Sequence, residues 1–366
     1  MSFPKLDRRK VGMKSLAERI NRVRIADAKV EPGDAFAELA NPAKRIVDLT
    51  AQRIRQARQN DRPVVLTFGA HTIKNGLGPV LRSLIERDLV THLATNGAGV
   101  IHDWELAYLG ETSEHVAANM ARGAFGNWEE TGFYLNMAIN VGAYEGLGYG
   151  EAVGKFIHDG RLDLPSADDL LAVARGEAES NPDRAAAALD LLGVMQRLDL
   201  KPGAIEAAHP FANTSAQAAA FAAHVPFTAH PMFGHDIIYN HPANCGSAIG
   251  RSAERDFLAF AHTISRIDGG VYLSIGSAVM SPMIFEKSFS MAQNLALQEG
   301  RAITDHFIAV VDLAPSRWDW SQGEPPEDHP DYYLRFNKTF SRVGGTLHYA
   351  QAHNRDFLLA LLEALG

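Results

Sequence analysis

Short apolar runs rich in β-branched residues recur along the chain, each followed by glycine or another small residue and then by a helical stretch, and this alternation limits the fold more than any other feature. Pro63 to Phe68 is an almost continuous β-prone run, Gly69 to Gly78 a glycine-punctuated turn, and Val80 to Arg87 has helical periodicity. Thr91 to Thr95, Asn96 to Gly99 and a helix beginning near Asp103 repeat the unit. Val225 to Ala229, Val271 to Ile275 and Phe307 to Val311 are further strands, with helices at Arg255 to Ile267 and Met283 to Gln298 between them. Strands buried on both faces and separated by helices predict an α/β fold: a Rossmann-like, doubly wound, mostly parallel sheet with helices on both faces. The chain has 366 residues, 46% of them apolar, enough for one large domain with its own core.

The domain reading is an N-terminal arm and helices over residues 1–60, then a single domain over 61–366 with a helical insertion at about 160–203. Ser166 with Asp169 is a cap signal in that insertion, and Asn181-Pro182 starts its second helix. In the first part, Phe36, Leu39, Ile46, Leu49 and Ile54 fall at helical spacing around Asn41-Pro42, which predicts two helices. The first 24 residues are basic (Arg8, Arg9, Arg19, Arg22 and Arg24 among them) but lack the apolar stretch of a secretory signal, and are expected to form an exposed, partly helical arm. Ser316 to Pro330 reads as a surface loop.

The single cysteine, Cys245, rules out an internal disulfide and a four-cysteine metal site, and fits a reducing cytoplasm. A formal charge of −8 gives no general attraction for nucleic acid or an anionic membrane, and no apolar run approaches the ~20 residues of a membrane span. A small-molecule partner is expected.

In a doubly wound sheet ligands bind at the carboxyl edge of the strands, so the strand-end turns form one candidate crevice. They are Gly69 to Gly78, Thr95 to Gly99, His230 to Asp236, Gly276 to Ala278, and Asp312. Small residues there let backbone N–H groups approach a nucleotide, although the G-x-G-x-x-G fingerprint is absent. His209, His224, His230, His235 and His241 fall close together with Asp236, but at none of the strong zinc spacings, so no metal is assigned. His102-Asp103 reads equally as a helix cap or a functional pair. Near the C-terminus Lys338 stands among aromatic residues, and a lysine stripped of hydration can attack a carbonyl as a neutral amine.

Taken in chain order, these segments resemble deoxyhypusine synthases. Gly69 to Asp103 looks like that family's first nucleotide-binding stretch, Phe227 to Asp236 like a later strand and loop, Gly276 to Met280 like its glycine-rich turn, and Pro330 to Ala352 like the segment with its active-site lysine. The likeness runs from Pro63 to the end, apart from Leu164 to Leu200. It implies a transferase that uses NAD as cofactor and passes an aminoalkyl group from a polyamine through a lysine imine, in a homotetramer with active sites between subunits. On that resemblance Lys338 is the imine-forming lysine and Asp236 a charge partner of the amine. His235, His241, Phe336 and Tyr332 are the substrate-binding set, and His71, Asn96, Gly97, Ala98, Gly276, Ser277, Ala314 and Ala350 hold NAD.

The departures from the family pattern narrow the choice of substrate. Pro282 replaces a histidine, Tyr332 a substrate-binding glutamate, and Gln351 and Pro231 two aspartates at the NAD site. A polyamine needs several buried carboxylates, since each unpaired buried ammonium costs several kcal/mol. The expected substrate is therefore a small amine other than spermidine, and modification of a translation factor is not implied. Two further readings are a metal-dependent hydrolase or lyase using His230, His235, Asp236 and His241, and a nucleotide-binding scaffold without catalysis.

Overall fold

A computed structural model describes residues 3–366, apart from the side chain of Arg335. Six parallel strands form the central sheet: β1 (Val64–Phe68), β2 (His92–Thr95), β3 (Phe227–Ala229), β4 (Val271–Ile275), β5 (Phe307–Asp312) and β6 (Thr346–Gln351). Their spatial order is β6-β5-β4-β1-β2-β3, the Rossmann arrangement, whose direction of winding reverses between β1 and β4.

Alternation along each strand builds two cores. Leu66, Leu93, Leu273 and Ala309 face one way, against the helices Asn41–Gln59, Gly78–Glu86, Tyr149–Asp159 and Asn354–Leu365. Val65, Ala94, Tyr272 and Ile308 face the other way, against Phe260, Phe285 and Phe340 of the helices Gly246–Ser265, Met280–Gln298 and Arg335–Ser341. Burial of each large apolar side chain contributes roughly 1.5–3 kcal/mol, and burial on both faces is why these strands are continuous apolar runs.

The insertion is a pair of helices, Ala167–Gly176 and Pro182–Arg197, closed at its base by the antiparallel strands Arg161–Leu164 and Gly203–Glu206. Ser166 and Asp169 form a complete capping box on the first, and Asn181 caps the second.

Three expectations need correction. Residues 35–40 are not helical; Ala37 N–H donates instead to Asp356 Oδ1 (3.1 Å), and one helix starts at Asn41-Pro42. The basic arm is not a free appendage. Residues Asn21–Arg24 pair antiparallel with Glu111–Glu114, and Leu16, Ile25 and Val30 are buried. Arg19, expected as one charge of an exposed run, is 6% exposed because its guanidinium reaches Glu105 (2.7 Å) inside the domain. The Ser316–Pro330 loop is anchored by Trp320, which is 2% exposed.

Strand β3 has only three residues and lies at one edge of the sheet. Ala229 N–H donates to Oδ2 of the buried Asp256 (2.7 Å), which also accepts from Gly150 N–H (2.8 Å) at the start of the Tyr149–Asp159 helix. Burial pushes the Asp256 carboxyl up to about 8 despite these donors.

Candidate functional site

The turn after β2 is shaped by close approach. Asn96 Oδ1 accepts from Gly99 N–H (2.9 Å) and caps the helix Gly97–Leu109. A Cβ on Gly99 would lie 2.2 Å from Thr95 Oγ1, and a Cβ on Gly97 would lie 2.1 Å from Asp236 Oδ2. The Asp236 carboxylate, brought in by the loop after β3, therefore rests on the bare α-carbon of Gly97, at the positive end of the helix. Its Oδ2 is buried without a hydrogen-bond partner. Burial pushes the carboxyl up to about 6, opposed by the neighbouring Tyr239 hydroxyl and His235.

Asp236 opens on a cavity of about 240 Å³ whose wall includes Ala98, His102, Lys74, His235 and, from the arm, Arg19. Glu105, in the same lining, accepts from Arg19 and from Thr131 Oγ1 (2.8 Å). Burial lowers the His102 pKa to about 4, and its Nδ1 lies 2.7 Å from Thr112 Oγ1. Its neighbour Asp103 does cap a helix, but a different one: it accepts from Ser215 Oγ (2.6 Å) and from the N–H groups of Ala216 and Gln217. Gly97→Ala is expected to expel the Asp236 side chain from its seat. The pH dependence of stability, read by urea unfolding, should come to resemble that of Asp236→Asn, while circular dichroism stays that of the parent.

A second cavity, about 430 Å³, lies on the other side of the same loop and is lined by His230, Met232, Val279, Pro282, Met283 and Phe336. No residue belongs to both linings.

Lys338 lines neither cavity. Its Nζ is 3.1 Å from Glu324 Oε1 and 3.2 Å from the centre of the Tyr332 ring. Burial lowers its pKa, but Tyr332 and Glu324 outweigh that, and the ammonium is held above its ordinary value. The expected desolvated neutral amine is not what this geometry provides, because its aromatic neighbour faces it as a cation–π partner and an acid stands beside it.

Among the other expected substrate residues, His235 is exposed at the rim of the Asp236 cavity. His241 is 3% exposed, with Nδ1 accepting from Ala243 N–H (3.0 Å) and Nε2 3.4 Å from Glu129, so it braces the structure and lines neither cavity. Among the described residues no group of three or more His, Cys, Asp and Glu side chains is arranged to hold a metal. The metal reading that joined His230, His235, Asp236 and His241 therefore has no three-ligand group behind it among the described residues.

The expected nucleotide residues all come to the carboxyl edge, but not on equal terms. His71 is exposed on the short helix Ala70–Lys74 that follows β1, where a turn is expected. Gly276, at φ +55°, and Gly69 pack together where the winding reverses: a Cβ on Gly69 would lie 2.2 Å from Gly276 O, one on Gly276 would lie 2.7 Å from Asn354 Nδ2, and the Gly69 and Gly276 N–H groups donate to Ile275 O (3.1 Å) and Val311 O (2.8 Å). Ser277 Oγ accepts from Ser281 N–H (3.2 Å). Ala314 has both backbone groups engaged, by Asp312 Oδ1 (3.0 Å) and the Tyr349 hydroxyl (2.5 Å), and Ala350 is 1% exposed inside β6, so neither offers a free contact. The Asn96–Ala98 turn has its positive end occupied by Asp236 and does not form an open phosphate cradle.

No protein-family model and no curated protein matches the chain. Solved structures similar to it include unliganded AgrE (14% identity, TM-score 0.44), where 90% of this chain matches 33% of that one, and AgrE has also been solved with ornithine and NAD+. A LOR/SDH protein from Methanococcus maripaludis S2 matches over 92% of this chain and 74% of its own (13%, TM-score 0.45). A protein described as a deoxyhypusine synthase from Entamoeba histolytica matches over 88% and 86% (11%, TM-score 0.37). The chain spans about a third of the length of AgrE.

Proposed function

We propose that the protein is an enzyme that oxidises a small amine with NAD as cofactor. The observation that carries this reading is Asp236, a carboxylate with a buried, unpartnered oxygen, set at the carboxyl edge of a Rossmann-order sheet. Such a group is stabilised most by a cation. An ammonium at Asp236 would draw the proton off the carboxyl and bind as a charge pair. In the same lining Glu105 is paired with Arg19, and Glu114 accepts from Asn119, Gly126 N–H and Trp128, so Asp236 is the carboxylate left for a cation and the substrate carries one ammonium and not the several of a polyamine.

For the dinucleotide, the turns after β1 and β4 meet where the winding reverses, the usual place for such a ligand, and His71 and Ser277 would flank it. When bound, NAD would supply the hydride acceptor. Asp236 orients the amine, and the loop from His230 to Asp236 screens it from water.

The aminoalkyl-transfer form of this reading adds a Lys338 imine, which requires that Glu324 and Tyr332 release the ammonium. The geometry favours oxidation without that step. Calorimetric titration with NAD, butylamine and spermidine tests the scheme: NAD should bind, and butylamine should bind more tightly than spermidine, with Asp236→Asn losing the amine alone. No binding of NAD or NADP at saturating concentration would overturn the cofactor assignment, and NAD binding without turnover of any amine would leave the non-catalytic nucleotide-binding scaffold as the answer. Borohydride treatment after incubation with NAD and 1,4-diaminobutane decides the chemistry, since a mass-labelled Lys338 peptide would establish the transferase form and its absence would remove it.

A further inference from the structure

The second cavity contains a polar atom whose character is fixed from a distance. His92 is wholly buried, with Nδ1 2.8 Å from Thr263 Oγ1 and Nε2 3.0 Å from Thr228 Oγ1, and Thr228 Oγ1 is in turn 3.1 Å from His230 Nε2. Thr263 directs its one hydroxyl hydrogen to Ala259 O (3.3 Å), so it accepts from His92, whose Nδ1 must carry a hydrogen. Burial pushes both imidazoles down to about 3, so each is neutral and has one N–H. His92 Nε2 is then an acceptor, the Thr228 hydroxyl donates to it, and His230 Nε2–H donates to Thr228. The hydrogen-bond chain leaves His230 Nδ1 as a lone pair, with no partner among the described residues, on a cavity walled mainly by apolar side chains.

That wall is open for its composition. Met232, Val279 and Met283 are 52%, 66% and 49% exposed, and they surround His230 together with Pro282, Phe336 and Thr339, the last of which is already engaged within the protein. A contiguous apolar surface around one oriented acceptor is the form of a small-molecule site. Methionine and phenylalanine walls suit a flat ring, and a single acceptor suits a single donor. There is no carboxylate in the lining to neutralise an ammonium.

We propose that this cavity binds a neutral aromatic molecule carrying one hydrogen-bond donor, of the indole or phenol class, with the donor on His230 Nδ1. The proposal rests on the hydrogen-bond chain and the lining, independently of the amine reading, and shares no residue with the Asp236 cavity.

The test uses the full chain labelled with ¹⁵N-histidine. Long-range ¹H–¹⁵N spectra should show the Nε2–H tautomer for His230 and the Nδ1–H tautomer for His92. Indole should perturb His230 Nδ1, whereas toluene, which lacks a donor, should bind about tenfold more weakly. His230→Phe should reduce the preference for indole over toluene to near unity, and Thr228→Val should randomise the His230 tautomer. An Nδ1–H tautomer in the parent, equal affinity for indole and toluene, or no binding of indole would each overturn the proposal. The tautomer reading needs no variant, so a poorly folding substitution does not blunt it.

Discussion

Replacing Arg19 by Met should destabilise the protein by about 3–5 kcal/mol, the range for removing one partner of a buried ion pair. Both side chains of the Arg19–Glu105 pair are 1% exposed, so neither charge has water to fall back on. Burial pushes the Glu105 carboxyl up, but the Arg19 charge and hydrogen bond, with Thr112, outweigh it and hold the pKa below its ordinary value. In the parent, a depressed carboxylate contributes stability above its unfolded pKa, lost as pH falls through the folded one. In Arg19→Met only burial and hydroxyl donors remain, so the sign reverses and stability from this group falls as pH rises. Urea unfolding from about pH 2 to pH 8 reads both effects. A double variant, Arg19→Met with Glu105→Leu, should recover most of the loss because no bare charge remains. A single variant within about 1 kcal/mol of the parent would show that the arm is not seated as described.

Asp236→Asn should change how stability depends on pH, and in the opposite sense to the parent's intact Glu105. The folded pKa of Asp236, about 6, lies above its ordinary 3.8, so the native state keeps this proton longer than the unfolded chain does. Its contribution is fully present below pH 4, declines as pH rises towards 6, and is flat above. Relative to the variant, the parent should lose about 2–3 kcal/mol over that interval. Butylamine should restore most of the loss in the parent at pH 8 and nothing in the variant. A parent and variant with parallel pH profiles would mean that the carboxylate is not desolvated as described, and the amine assignment would lose its basis. The seat on Gly97 thus costs the free protein stability in the ionised form, which a bound cation restores.

How much of this structure is legible in sequence depends on the range of the forces involved. The strands are legible because a strand covered on both faces must be apolar at every position, and Val64 to Phe68 or Val271 to Ile275 show that locally. The helix caps at Ser166 and Asn181 are likewise interactions across three residues. Arg19 is misleading because its partner lies 86 residues away, and an arginine looks the same in sequence whether it meets water or a buried glutamate. Gly97 shows in sequence only as a small residue after a strand; that Asp236 fills the missing Cβ is a fact of packing. His92 sits inside an apolar run with no local mark of a role, although its two threonine partners begin the chain that orients His230 in the second cavity. Lys338 stands out by its aromatic neighbours, but sequence does not say that Tyr332 faces the cation and Glu324 pairs with it.

The carboxylate of Asp256 does more than hold a helix start. An edge strand normally leaves alternate N–H groups free, and a free row of them invites a strand from another molecule. The outward N–H of Ala229 is already taken by a buried acid, and the strand is only three residues long. This end of the sheet therefore offers little template for growth: a single side chain serves as a stopper against self-association through strand pairing.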